Sequence, residues 1–244
     1  MPLTEQTRQI VKLAWARLLH LEDLDLDSGD PAVRVEVVDD DSAAATFVRL
    51  FDRTVIFGPS EVVGDARSLP DSQLAQERCL LDLVRAHHQG ARALGAAHLL
   101  YCEESPQLNP LDDVAVAFEP ELISTLMAAA PADDVAVSGL ADAQWAAALV
   151  MDAPGAEGSR AEEVVAAAGR EVWQHLIAQL GLLTHPEHRG RGCGGLIAGV
   201  AVEEALADGL IPQWRSALEN EASRRAALRL GFTDAGSQTT VVLD

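Results

Sequence analysis

The chain has 244 residues, 48% of them apolar and 23% charged, and a formal net charge of −20. Such a length allows one large domain or two small ones, and the composition is that of an ordinary globular protein. The negative charge argues against a nucleic-acid partner, whose phosphates need a basic face, and no apolar run reaches the roughly 18 residues that would span a membrane.

Thr4 to Leu21 reads as an amphipathic helix, with Ile10, Leu13, Ala14, Leu18 and Leu19 at helical spacing. Glu5, Arg8 and Lys12 interrupt Met1 to Trp15, so no secretory signal is expected there. An acidic loop, Glu22 to Asp30, precedes three candidate strands: Val33 to Val38, Ala44 to Leu50 and Thr54 to Phe57. Asp71 to His88 reads as helix and Ala97 to Tyr101 as a short buried strand. Glu103 to Asp113, with Pro106 and Pro110, is the best linker candidate. It divides an α/β region of unassigned role, residues 1–113, from residues 114–244.

Beyond the linker come a helix around Glu119 to Ala129 and a strand around Trp145 to Met151. A turn region over Pro154 to Ser159 leads into two strands, Glu163 to Trp173 and Leu176 to Thr184. The helix from Gly195 to Ala207 ends at Asp208-Gly209, a plausible cap. Pro212 to Ser216 is a strand. Asn220 caps a helix running to Leu230, Gly231 stops it, and Thr239 to Leu243 closes the chain. Strands and helices alternating in this way predict an α/β chain with a mixed α+β sheet. Cys79, Cys102 and Cys193 are far apart and form no Cys-x-x-Cys pair. Hence no disulfide framework and no metal site is expected, and a cytoplasmic location is.

The charge is unevenly spread. From His185 to Gly231 there are six arginines and six acids, so the rest of the chain carries the whole −20. An arginine-rich region spared from the acidic excess suits a polyanionic small ligand. The same region holds Thr-His-Pro-Glu-His-Arg-Gly-Arg-Gly-Cys-Gly-Gly, Thr184 to Gly195, between an apolar strand and an apolar helix. Amides exposed at a helix start carry partial positive charge and have no intrahelical partner, and glycines let them approach phosphate oxygens closely.

Gly190-x-Gly192-x-x-Gly195 satisfies the dinucleotide fingerprint, but Pro186 and Arg189 intervene after the strand, and Glu219 fits the ribose-binding acid only loosely. No Lys-Ser or Lys-Thr follows the glycines, which excludes a P-loop. The fuller pattern, Arg189-x-x-Gly192-x-Gly194 after a strand and a proline, resembles motif A of the Gcn5-related N-acetyltransferases (GNAT). Asn220, Ser223 and Ala226, followed by Gly231-Phe232, have the spacing of that family's motif B. The match covers about Trp145 to Leu243, and the first 110 or so residues resemble the amino-terminal extensions of longer members.

The resemblance implies an acyl-CoA N-acyltransferase fold and an enzyme that passes acetyl from acetyl-CoA directly to an amine, either a small molecule or a protein amine. It implies that the strand before the turn splays from its neighbour. Amides of Leu182, Leu183 and Thr184 would then hold the pantetheine arm, one of them, Leu182 or its neighbour, polarising the thioester carbonyl. Amides from Arg189 through Gly190, Arg191, Gly192, Cys193 and Gly194 to Gly195 would take the pyrophosphate, with Arg189, Arg191, Arg224 and Arg225 available for charge-assisted bonds. Asn220 and Ser223 would serve as ligand contacts, caps or both. Cys193 offers its amide rather than a nucleophilic thiol. His185 and His188 read as exposed loop histidines.

The sequence departs from the family at Ala227, where motif B has a tyrosine that often protonates the departing thiolate; the one tyrosine is Tyr101. The base is also unassigned among Glu171, His175 and Glu219. Two alternatives therefore stand: an inactive CoA-binding or interaction module and, more distantly, a dinucleotide-binding enzyme. The amino-terminal region either completes an acceptor pocket or forms a homodimer surface.

Overall fold

The computed structural model describes residues 2–154 and 160–244. Contacts group the chain into two compact units, and they are not consecutive in sequence. The first comprises Met1–Tyr101, Arg215–Ala227 and Phe232–Asp244; the second comprises Cys102–Trp214 and Leu228–Gly231.

In the first unit, α1 (Glu5–Leu18) starts at Thr4, whose hydroxyl accepts the Thr7 amide, a standard N-cap. Its buried face is Thr7, Val11, Ala14 and Trp15, whereas Ile10, Leu13 and Leu18 are only half-buried. Trp15 sets that rotation: its indole N–H donates to the buried Tyr101 hydroxyl at 2.7 Å. Strands β1 (Val35–Val38), β2 (Ala44–Leu50) and β3 (Arg53–Gly58) follow, then α2 (Ser60–Ala66), α3 (Asp71–Leu74), α4 (Glu77–Arg85) and β4 (Arg92–Tyr101). Most of α8 (Glu221–Arg229) and the whole of β10 (Thr233–Val242) belong here too. The sheet order is β1-β3-β2-β10-β4, with β1 and β3 parallel and the other pairs antiparallel. Phe47, Ile56, Val62, Leu74, Leu80, Val84 and Val241 form its core.

Several expected elements change at this level. The helix over Asp71 to His88 is two helices, because Gln76 is extended (φ −89°, ψ 124°) and Leu74, Leu80 and Val84 all have to reach the same core. The seven residues of α2 bury Val62, Val63 and Ala66, a run too short to show a helical period. Strands β4 and β10 each begin well before their apolar cores. Gly95, Asp234 and Gly236 are poor strand formers, and ladder pairing between β10 and β4, with bulges at Asp234/Gly236 and Thr240/Val241, holds them extended.

The second unit contains β5 (Val114–Ala117), α5 (Pro120–Ala129), α6 (Ala132–Ser138), β6 (Trp145–Pro154), β7 (Arg160–Trp173), β8 (Ile177–Thr184), α7 (Cys193–Ala207) and the first residues of β9 (Ile211–Ala217). The turn expected over Pro154 to Ser159 falls, apart from Pro154, outside the described residues. The order is β9-β8-β7-β6-β5, parallel only between β8 and β9, so both units are mixed α/β. Ile123, Leu126, Leu140, Val150, Val164 and Leu183 pack α5 and its neighbours onto this sheet. Among the described residues, no helix is long and apolar enough to cross a membrane.

Candidate active site

Strand β8 pairs with β7 along its whole length, from Trp173↔Ile177 to Ala166↔Thr184. On its other side it pairs with β9 only from Ile177↔Ile211 to Gln179↔Gln213, although it runs five residues further. Amides alternate sides along a strand. The His185 amide donates to the Val165 carbonyl on β7 at 2.9 Å, and the Leu176 carbonyl accepts the Ile211 amide of β9 at 2.9 Å. Odd-numbered amides therefore face β7 and even-numbered ones face the β9 side. The Leu182 and Thr184 amides point to that side beyond the last paired residue. Leu183 is different: its amide faces β7, and its side chain, 3% exposed, lies in the core.

After β8 the chain makes a short 3-10 turn, Pro186–His188, and reaches α7. Gly192 caps that helix with φ +91°, a left-handed conformation that glycine adopts without strain. The first amide to bond back along the helix is that of Leu196, to the Gly192 carbonyl at 3.0 Å. Those of Cys193, Gly194 and Gly195 are left to a ligand or to solvent. No acidic residue lies in the first turn of α7 to offset its positive end. A Cβ at Gly194 would stand 2.7 Å from the Thr184 hydroxyl oxygen, so turn and strand touch there. Nothing described lies within 4 Å of a Cβ built at Gly190 or Gly195, which leaves room for a ligand. Leu111, of the linker candidate, flanks the turn 3.7 Å from a Cβ built at Gly192.

The side chains are more committed than the backbone. Arg189 pairs with Asp134 of α6 at 2.6 Å and donates from Nε to the Thr184 carbonyl at 3.3 Å, although it is 49% exposed. Arg191 is exposed, and Cys193 is buried, so Cys193 can offer only its amide. Contrary to expectation, His188 is not an exposed loop residue. Its ring is buried, with Nε2 3.0 Å from the Glu163 carboxylate of β7. Sequence separation hid that pairing, and Pro186, which starts the turn, was the one signal that could have suggested it.

In the first unit, the Asn220 side chain accepts the Ser223 amide at 3.0 Å, the N-cap expected of it. Arg224 pairs with Asp234 at 3.1 Å, and Arg225 donates to the Glu221 carbonyl at 3.0 Å. Ala227 is fully buried, so no tyrosine-sized group stands at the motif B position. Tyr101 offers no replacement: it is fully buried, burial pushes its phenol far above the usual range, and its oxygen already accepts from Trp15. Of the three candidate bases, His175 lies in the β7–β8 hairpin turn with φ +59°, at the end of β8 away from the glycines. The strand between His175 and the glycine turn is about 23 Å long at roughly 3.3 Å per residue. Glu171 stands opposite Gln179, and Glu219 is exposed in the turn before α8.

Residues 153–240 match a family model described as GNAT acetyltransferase. That stretch is thus similar to the GNAT family. It contains the glycine turn, α7, β9 and α8. The chain is also similar to a GNAT-family protein from Novosphingobium aromaticivorans, at 20% identity and a TM-score of 0.45 over 64% of this chain and 68% of that one. A GCN5-related N-acetyltransferase from Kribbella flavida matches at 16% identity and 0.44 over 66% of this chain. That match takes in 62% of the Kribbella chain, less than two thirds of it. A GCN5-related N-acetyltransferase-like protein from Streptococcus suis matches at 15% and 0.49 over 98% of this chain and 99% of that one. No curated protein matches the sequence. Likenesses this distant do not identify a substrate, which the chain's own residues have to indicate.

Proposed function

We propose that the chain is a cytoplasmic N-acetyltransferase that takes acetyl from acetyl-CoA and passes it directly to an amine. The observation that carries the proposal is the early end of the β8–β9 ladder at Gln179↔Gln213, five residues short of the end of the strand that leads into the glycine turn and a helix start. Backbone amides beyond a ladder need a partner, and an extended amide-bearing arm supplies one. In this reading Leu182 and Thr184 bind the pantetheine arm, and Leu182, on the strand's outward side, donates to the thioester carbonyl. Amides of the turn and of Cys193, Gly194 and Gly195 bind the pyrophosphate. Arg189 exchanges Asp134 for a phosphate or orients the turn through Thr184. On the motif resemblance alone, Asn220 and Ser223 keep a proposed cofactor role.

A protonating tyrosine is dispensable on chemical grounds, because a thiol with an ordinary pKa of about 8.5 leaves as thiolate with little help. The buried Ala227 nevertheless supports a second reading, a module that binds coenzyme A without turnover. The dinucleotide reading loses its footing because β8 is fed by an antiparallel hairpin from β7 rather than by a parallel unit. Thermal shift with coenzyme A, acetyl-CoA and NADH, followed by thiol release across a panel of amines, tests all three. Stabilisation by acetyl-CoA together with thiol release supports the transferase. Binding without release across all amine classes supports the module. No shift with coenzyme A at millimolar concentration would falsify both.

A further inference from the structure

We propose that Glu163, His185 and His188 form a binding site for a divalent transition-metal ion with the ligand preferences of zinc. The local sequence explains how the two histidines meet. Pro186 begins a 3-10 turn, and the His188 amide closes it onto the His185 carbonyl at 2.9 Å. Such a turn has three residues per revolution, so side chains three apart eclipse one another. The rings of His185 and His188 accordingly stand 5.7 Å apart between centroids. Glu163 comes from β7, and one ligand atom from each of the three residues lies within 4.8 Å of the others.

The convergence exceeds what an ion pair needs. Glu163 and His188 are in contact at 3.0 Å, and that contact engages only one nitrogen of the buried imidazole; Nδ1 of His188 is buried without a hydrogen-bond partner. His185 is half-buried beside them, and its Nδ1 receives only a long 3.4 Å contact from the Glu187 amide. Two imidazoles and one carboxylate are the donor set that zinc accepts with a fourth position left open, whereas calcium and magnesium favour all-oxygen sets. Ligand atoms around a tetrahedral zinc stand roughly 3.3 Å apart for bonds of about 2.0 Å. Glu163 and His188 have that spacing already, and rotation of the His185 side chain closes the third edge. A bound ion would tie the segment after β8 to β7 and stiffen the approach to the glycine turn. Cysteine spacing gave no hint of this, because the ligands are two histidines and a glutamate drawn together by β7.

The test uses the tag-free full chain after chelation, titrated with Zn(II) by calorimetry and with Co(II) by visible absorption. One saturable equivalent is expected, with the intense ligand-field bands of low-symmetry, near-tetrahedral cobalt, and zinc should displace the cobalt. His185→Ala and Glu163→Gln each change a partly exposed residue and should each weaken binding at least tenfold while the apo protein melts as before. Cys79→Ser, which leaves the cluster intact, should bind as the unmodified chain does. Zinc should raise the melting temperature of the unmodified protein and of Cys79→Ser only. Absence of saturable binding at millimolar zinc, or affinity unchanged in both cluster variants, overturns the assignment. Coenzyme A plays no part in these readouts, so the metal site stands or falls separately from the transferase reading.

Discussion

Gly194 sits one residue into α7, where a Cβ would come within 2.7 Å of the Thr184 hydroxyl oxygen. Gly194→Val should therefore push strand and turn apart, costing about 1–3 kcal/mol of stability by overpacking. It should also weaken coenzyme A binding at least tenfold by calorimetry. Removing the obstructing hydroxyl should reveal coupling: Gly194→Ala should be milder in a Thr184→Ala background than alone. Equal losses in both backgrounds would mean that the contact does not matter. Arg189 allows a sharper test, because Asp134 competes for its guanidinium at 2.6 Å. If Arg189 binds phosphate, Asp134→Ala should tighten coenzyme A binding several-fold, more at low salt than at high. If Arg189 only braces the turn, the same change should loosen binding. The ion pair is exposed enough that stability should move by less than about 1 kcal/mol in either case.

At the scale of elements, local chemistry decided the ends of helices and long-range pairing decided the strands. Asn220 was legible as a cap because a side-chain acceptor one residue before a helix has one obvious partner, here the Ser223 amide at 3.0 Å. Asn220→Ala should lower stability by about 1 kcal/mol in urea denaturation, while Asn220→Asp should restore most of it. A cap whose loss costs nothing would mean that α8 is held by its neighbours alone. The extended starts of β4 and β10 were not legible. Residues such as Arg92, Gly95, Asp234 and Gly236 have no strand pattern of their own and are ordered by their partners. The break between α3 and α4 was hidden for the same reason, since apolar spacing continues across it while the core requires a change of direction.

Across the molecule the acidic excess of −20 leaves most carboxylates to solvent, and a few take on structural work. Burial pushes Asp52 up, but the Lys12 ammonium at 3.1 Å, its own backbone amide and nearby Arg8 pull its pKa below the usual carboxylate range. A carboxylate depressed in the folded state stabilises the fold above its unfolded pKa of about 3.9. That stabilisation is lost as the pH falls through the lower, folded value. Asp52→Asn should therefore lower the melting temperature at neutral pH, and the difference from the unmodified chain should vanish in strong acid. A constant difference across the whole pH range would show that shape, not charge, matters at that position. Grouping by contact also rearranges the order of the chain. Residues 232–244 join the first unit because β10 pairs with β2 and β4, and within residues 215–227 the Leu218 amide donates to the Ala96 carbonyl of β4 and Arg224 pairs with Asp234.

By itself the sequence determined what covalent geometry and nearest neighbours control: the glycine turn at 190–195, the apolar helix after it, the Asn220 cap and the absence of a tyrosine at Ala227. Those features depend on residues a few positions apart, and one chain suffices to show them. Only the tertiary structure decided which amides of β8 lie beyond the β9 ladder, that Arg189 is shared with Asp134, and that His188 is buried against Glu163. Each of these joins residues 25 to 55 positions apart, or depends on where one strand stops pairing with another. Pairing of that kind is set by how the elements pack together, and no local period in the sequence records it.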